Sequence, residues 1–565
     1  MVNLLVNFWV LVTYPWWAFR RARAAGRTGW LALELEGRSL EVRPPARFGY
    51  RWRSEPPALY EVKRALARAQ RDPRVTGVVV TLRGFQGGGA SVDSWRGVLA
   101  GVREAGKRLV IYLPDGAGTR EYQLATASDL LIAGPDARVA PVGFSVETLY
   151  FKQALDRVGL AMEVFARGDF KTAGEPFVRE SMSEPQRRQL TELLEHQFNR
   201  FLQGVAEGRA VPRDQVEAWV QQGPFAAERA HSLGLVDALA YEDQVKPLLN
   251  PPVPEQEQPV SVTRYARRSA SPFRPLVRRG YLAVVPVHGV ITSEPLGWSS
   301  GADEQSFASS LRRVREDTRA LGLLLHIDSR GGSALASARM LHEVRRCAEK
   351  KPVVAYFSDT AASGGYMIGL GAHEIVAQAS TITGSIGVVA ARLVVQTLAE
   401  RLGLSVERVK RGERADMFSP FRFMQADVRA AFEAELDEVY RRFVEQVARG
   451  RSLSIEQVEP LAGGRVWSGE HAQRLGLVDS LGDVAVAAER LRARIDTPRA
   501  RVADLRLVSI KRRRLPRLGL GPDLGWFNHI LRDPNARDLL AFWCDPRIDP
   551  VLAWEPALLG SPPGP

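Results

Sequence analysis

Cysteine is nearly absent from this chain of 565 residues: Cys347 and Cys544 are its two thiols, too few for a disulfide framework and without the paired spacing of a zinc site. Lysine is scarce too. Nine lysines stand among 77 basic residues, leaving 68 arginines, so a lysine retained in an arginine-preferring chain asks for a reason. The eight histidines include no pair with metal spacing: His373-Glu374 lacks the second histidine of a zinc helix, and His342 and His373 read as surface or core groups. No nucleic-acid motif accompanies the net charge of +13, whose basic residues are scattered apart from short runs such as Lys511 to Arg514. We therefore assign that charge to solvated surface and to proximity to membrane lipid rather than to nucleic acid.

What is present suits a folded body of more than one domain. The length exceeds what one core supports, and 45% hydrophobic with 25% charged residues is ordinary for globular protein. Residues 1–26 form a membrane-anchor candidate. No charged side chain precedes Arg20, Pro15 and the Trp16-Trp17 pair sit near the end of the apolar run, and a shallow interfacial segment competes with a spanning helix. The arginines that follow favour a body on the cytoplasmic side, and no small-residue cleavage site marks a removed signal peptide.

From about Gly29 apolar strand patterns alternate with amphipathic helix patterns, as in an α/β domain. WLALELEG, GVVVTLRG and RLVIYL read as strands, and LYEVKRALARAQ as a helix. A Pro-rich stretch at 250–275 reads as a linker, after which the same order returns. Lys107 to Leu113 matches Lys351 to Phe357 at an offset of 244, as Arg167-Gly168 matches Arg411-Gly412, while SLGLVDAL (Ser232 to Leu239) resembles RLGLVDSL (Arg474 to Leu481) at 242. The chain is thus a duplicated domain, residues 27–249 and 276–497, with an extension at 498–565.

The copies differ where chemistry is expected. In the second, Ser363 follows the strand pattern VVAYF and lies among Ala361, Ala362, Gly364 and Gly365, with an apolar helix pattern after it. A hydroxyl so placed is uncrowded, the Gly364 amide can face a developing oxyanion, and a helix N-terminus adds favourable field. An ordinary strand-turn-helix of small residues gives the same local pattern. The first copy has Thr119 and Arg120 at these positions, but it has Lys171 where the second has Ala415. One site assembled from both copies accounts for this complementarity better than drift does. Serine and lysine can perform nucleophilic chemistry without histidine, provided burial or positive charge keeps the amine neutral; arginine cannot serve, because it stays protonated. A Ser-His-Asp triad remains open as an alternative, its members needing no proximity in sequence. Gly331 and Gly332, after the strand pattern of His326 to Ser329, can supply a second oxyanion donor, and Ser385 in TGSIG can orient the lysine amine.

Together, DTAASGGY, TGSIG and the segment from Gly168 to Phe177 resemble the long, tandem-domain form of the signal peptide peptidase A (protease IV) family, in the ClpP/crotonase-like superfamily. The resemblance runs from about Gly29 to about Leu491. It implies an α/β fold of two tandem ClpP/crotonase-like domains built of β-β-α repeats, with Ser363 as nucleophile, Lys171 as general base and Ser385 positioning the lysine. The Gly332 and Gly364 amides then form the oxyanion hole. It also implies a homotetramer on the bacterial cytoplasmic membrane, its body on the periplasmic face, degrading signal-peptide remnants without metal or cofactor. Two features depart: Arg330 stands where the family commonly has proline, and the charge flanks of the N-terminus point to the opposite face. A crotonase-like acyl-CoA enzyme without a serine nucleophile and a catalytically inactive membrane scaffold are the competing readings. The tail from about Pro498 reads as an irregular surface extension.

Overall fold

The computed structural model of the chain describes residues 8–15, 29–43, 58–254, 257–268, 280–294, 301–496, 502–508 and 551–553. Two compact units emerge. The first gathers residues 1–145, 195–281 and 497–507, and the second residues 146–194, 282–496 and 508–565.

In the first unit Trp30–Arg38, Gly77–Gln86, Arg108–Leu113 and Leu130–Ala133 run parallel in that order, continued on one side by Ala238–Leu239 and on the other by Val260–Ser261. Val78, Val79, Val80, Leu109, Val110 and Ile111 are all buried, the continuous burial of parallel strands covered on both faces. The helices Leu59–Ala69 and Gly89–Glu104 connect successive strands. The stretch read as a linker is a spacer only in part. Beyond its prolines Val260 and Ser261 are free to join the sheet edge, and Val262–Arg268 forms a helix anchored by the buried Val262 and Tyr265.

The second unit repeats this plan with Ala320–Ser333, Val353–Ala362, Glu374–Ala377 and Ser480–Leu481 in parallel order, and Gly280–Thr292 flanking the first of them. Individual side chains recur as well. Tyr122 Oη donates to the Leu235 carbonyl at 2.9 Å and Tyr366 Oη to that of Leu477 at 3.0 Å. Asp237 accepts the Leu131 amide and pairs with Arg209, while Asp479 accepts the Ile375 amide and pairs with Arg451. The ammonium of Lys107 donates to the carbonyls of Asp72 and Val75, and that of Lys351 to those of Val314, Asp317 and Ala320. Two of the nine lysines are explained by this. An ammonium directs its three donors to convergent carbonyls at a turn, a geometry the planar guanidinium fork does not match.

The compact units do not follow the repeat boundaries. Residues 146–194 lie before the first copy ends, yet they belong to the second unit. Ala161–Arg167 pairs antiparallel with Val388–Val394 over seven residues, Val388 opposite Arg167 and Val394 opposite Ala161. Phe165 meets the edge of Phe432 with ring centroids 5.0 Å apart, in a cluster with Val388, Met424, Val428 and Leu436. Glu163, on the same strand, is buried, accepts the Met424 amide and pairs with Arg392 at 3.3 Å. At the offset of 244 the second copy has residues 405–411, which carry no strand.

The membrane-anchor candidate lies largely outside the described residues; 8–15 are helical, and no helix among the described residues is long and apolar enough to cross a membrane. Of the tail, Val502–Leu507 is a strand, and Val551–Ala553 is another, seated antiparallel to Gly332–Ser333 on one side and Val389–Ala390 on the other. Here the expected irregular extension gives way to sheet pairing, while the rest of it lies outside the described residues.

Candidate functional site

Ser363 ends the Val353–Ala362 strand and caps the helix Gly364–Gly369 with φ 55° and ψ −119°, a backbone conformation that costs a non-glycine residue about 1–3 kcal/mol. Neighbouring hydrogen bonds fix it there. Its amide donates to the Gly384 carbonyl at 2.8 Å, and its own carbonyl accepts the Met367 amide at 2.9 Å. The small residues around it are a packing requirement: a Cβ on Gly364 would stand 2.3 Å from Ser337 Oγ. Gly384 comes close because Ile382–Gly384 runs parallel to Thr360, Ala361 and Ala362, and Thr383 Oγ1 donates to the Ala361 carbonyl at 2.7 Å.

Lys171 follows the Ala161–Arg167 strand and immediately precedes the short helical turn Thr172–Gly174. Its amine lies 3.1 Å from Ser363 Oγ, 2.8 Å from Ser385 Oγ and 3.1 Å from the Ser385 carbonyl oxygen. All three residues are buried, Lys171 at 2% exposure and both serines at 0%. The three contacts match the three donors of an ammonium and can equally be made by a neutral amine. Such a group has two N–H donors and one lone pair; the Ser385 carbonyl can only accept, Ser385 Oγ can accept the second N–H, and Ser363 O–H can donate to the lone pair. Burial disfavours the ammonium form. The nitrogen bonded to Ser363 Oγ is thus a lysine, where a Ser-His-Asp arrangement would require a histidine.

The glycines expected at the oxyanion position fall within the strand Ala320–Ser333, not after it, with φ 104° at Gly331 and 154° at Gly332. The Gly331 amide donates to Ser329 Oγ at 3.1 Å inside the turn, which leaves the Gly332 and Gly364 amides as the better candidates for the site. The Gly331 Cα lies 3.4 Å from where a Cβ of Gly364 would be, so the two loops pack directly on each other. In the first copy the position of Ser363 is taken by Thr119, whose hydroxyl donates to the Gly143 carbonyl at 3.0 Å. Burial pushes the Cys347 thiol up to about 11, and a thiol held protonated is a poor nucleophile.

The sequence reading missed the strand Val466–Ser468, which pairs antiparallel with Ile382–Gly384. Its preceding residues reach both halves of the site: the Arg465 carbonyl accepts the Ser385 amide at 2.7 Å, and the Gly463 carbonyl accepts the Phe170 amide at 2.9 Å. A signal was available. At the offset of 242, Gly463, Gly464 and Arg465 stand opposite Gln221, Gln222 and Gly223.

Comparison with known proteins identifies the family of the chain. Serine protease SPPA, chloroplastic, of Arabidopsis thaliana is 30% identical over 501 residues, covering 87% of this chain and 72% of that protein. Protease 4 of Salmonella typhi is 31% identical over 449 residues, covering 76% of this chain and 72% of its own. Among solved structures, a ClpP1 mutant from Listeria monocytogenes aligns with 36% of this chain and 93% of its own at 16% identity and a TM-score of 0.25. The model of peptidase family S49 matches twice, at residues 102–250 and 345–497, one match in each sequence copy. With both copies matched and with relatives covered over 72% of their length named as proteases, the chain belongs to peptidase family S49.

Proposed function

We propose that this chain is a serine endopeptidase working through a Ser363–Lys171 dyad, and that it degrades extended apolar peptides such as cleaved signal peptides. The observation that carries the reading is the buried amine of Lys171 at 3.1 Å from Ser363 Oγ, held on its other side by Ser385. In the proposed reaction the lysine lone pair takes the Ser363 proton as Oγ attacks the scissile carbonyl carbon. The Gly332 and Gly364 amides face the oxygen that becomes negative, and the protonated amine then gives its proton to the leaving nitrogen. Water, activated by the same amine, releases the acyl group and restores the serine. The seat taken by Val551–Ala553 beside Gly332 supports a substrate bound as an added strand, since it accepts an extended backbone antiparallel to both neighbours.

A serine-directed acyl-enzyme probe tests this. It should label the wild-type chain at Ser363, in the peptide recovered by mass spectrometry, and label Lys171→Ala far more slowly. A label on another residue, or none, would return the chain to the acyl-CoA or scaffold readings.

The proposal includes membrane association, supported by the uncharged run before Arg20. The full chain should sediment with membranes, and deletion of residues 1–26 should release an active body. Retention of the truncated chain on membranes in detergent-free buffer would place the anchor elsewhere.

A further inference from the structure

We infer that the Gly463–Trp467 segment, a turn leading into the strand Val466–Ser468, is the device that seats the lysine against the two serines, and that Arg465 is its positioning residue. The inference rests on the dyad reading above and adds to it a residue that touches none of the reacting atoms. Lys171 reaches Ser363 and Ser385 from a separate segment of the chain, so something must fix their spacing. The segment is bonded to both sides. Towards the serines, Arg465 accepts the Ser385 amide at 2.7 Å and Gly464 donates to the Ile386 carbonyl at 2.8 Å; towards the lysine, Gly463 accepts the Phe170 amide at 2.9 Å.

The fit on the lysine side is tight. Gly464, at φ 81°, lies so close that a Cβ on it would stand 2.5 Å from the Lys171 amide nitrogen, and a Cβ on Gly168 would stand 2.2 Å from the Gly463 carbonyl carbon. The Arg465 side chain closes the clamp. Its guanidinium lies over the Phe170 ring at 5.2 Å and the Trp467 ring at 4.3 Å, and it pairs with Glu192 at 2.6 Å. Phe170 is the residue before the lysine, so stacking on it restrains the backbone that carries the amine. The copy that lacks the serine also lacks this device, having Gln221, Gln222 and Gly223 at the matching positions.

The test compares Arg465→Ala, Arg465→Lys, Lys171→Ala and wild type in steady-state hydrolysis of a fluorogenic apolar peptide, with thermal melting of each. Loosening the lysine by a fraction of an ångström should lower kcat about 10- to 100-fold in Arg465→Ala with KM changed less than about threefold, since placement of the base and not substrate binding is lost. Arg465→Lys should recover only part of this, because an ammonium keeps the charge but not the planar stacking. A wild-type kcat in Arg465→Ala, or a loss carried wholly by KM, overturns the inference. If Arg465→Ala fails to fold, Arg465→Lys decides, and a folded Arg465→Lys with wild-type kcat overturns it. Should Lys171→Ala itself keep wild-type activity, the dyad reading has failed; should Lys171→Ala be inactive while Arg465→Ala is normal, only the positioning role has failed.

Discussion

Ser363→Ala is expected to abolish peptide hydrolysis, with kcat down by at least about ten-thousand-fold, while the chain folds and melts much as wild type does. In the proposed mechanism the hydroxyl carries the chemistry, and it contributes little of the packing. Alanine fills the same space, meets the same backbone strain at φ 55°, and leaves the amide bond to Gly384 and the carbonyl bond to Met367 in place. What disappears is the hydroxyl facing Lys171, a hydrogen bond worth about 1 kcal/mol of stability. Ser385→Ala should be weaker in effect, because that hydroxyl orients the amine and forms no covalent intermediate. Peptide assays and melting curves on the two variants check this. Turnover well above background in Ser363→Ala would remove Ser363 from the mechanism, and equal losses in both would show the serines to be ranked wrongly.

The second large effect separates charge from basicity at Lys171. Lys171→Arg should be as damaging as Lys171→Ala, each lowering kcat about 100- to 10,000-fold, because a guanidinium retains its proton and offers no lone pair to Ser363. A site that needed only a positive charge would tolerate the arginine. The pH profile of the wild type follows with a definite sign. Burial favours the neutral amine, so the proton leaves more easily than from a free lysine, and activity should rise as pH rises, with a midpoint below about 10.4. Retained activity in Lys171→Arg, or activity that falls through the neutral range as pH rises, would exclude a neutral lysine base and send the search back to a histidine.

Much of this was legible in the residues. Apolar runs at period and length suited to parallel strands marked the sheets, and the offsets of 242 and 244 marked the duplication, because both signals are local and survive as pattern. The candidate site residues stood out for a different reason. Ser363, Gly364 and Lys171 stood out as differences between two copies of one pattern, and the amine of Lys171 does reach Ser363 and Ser385. Less legible was the Gly-Gly turn after His326: its residues lie inside the strand Ala320–Ser333 with a change of register between Ile327 and Ser329, a kink that a count of apolar positions does not reveal.

By itself, then, the sequence determined the class of fold and the duplication and singled out a candidate serine and lysine, since each follows from local pattern or from comparing one half of the chain with the other. The tertiary structure alone decided which residues share a body. Residues 146–194 precede the end of the first copy, but Ala161–Arg167 completes its hydrogen bonds on Val388–Val394 and buries Phe165 against Phe432 in the second unit. Backbone pairing and burial between residues more than two hundred positions apart leave no periodic trace in either segment. The same holds for the Gly463–Trp467 segment, whose hold on Lys171 depends on close approaches that only glycine permits: a Cβ on Gly168 would stand 2.2 Å from the Gly463 carbonyl carbon, and one on Gly464 2.5 Å from the Lys171 amide nitrogen.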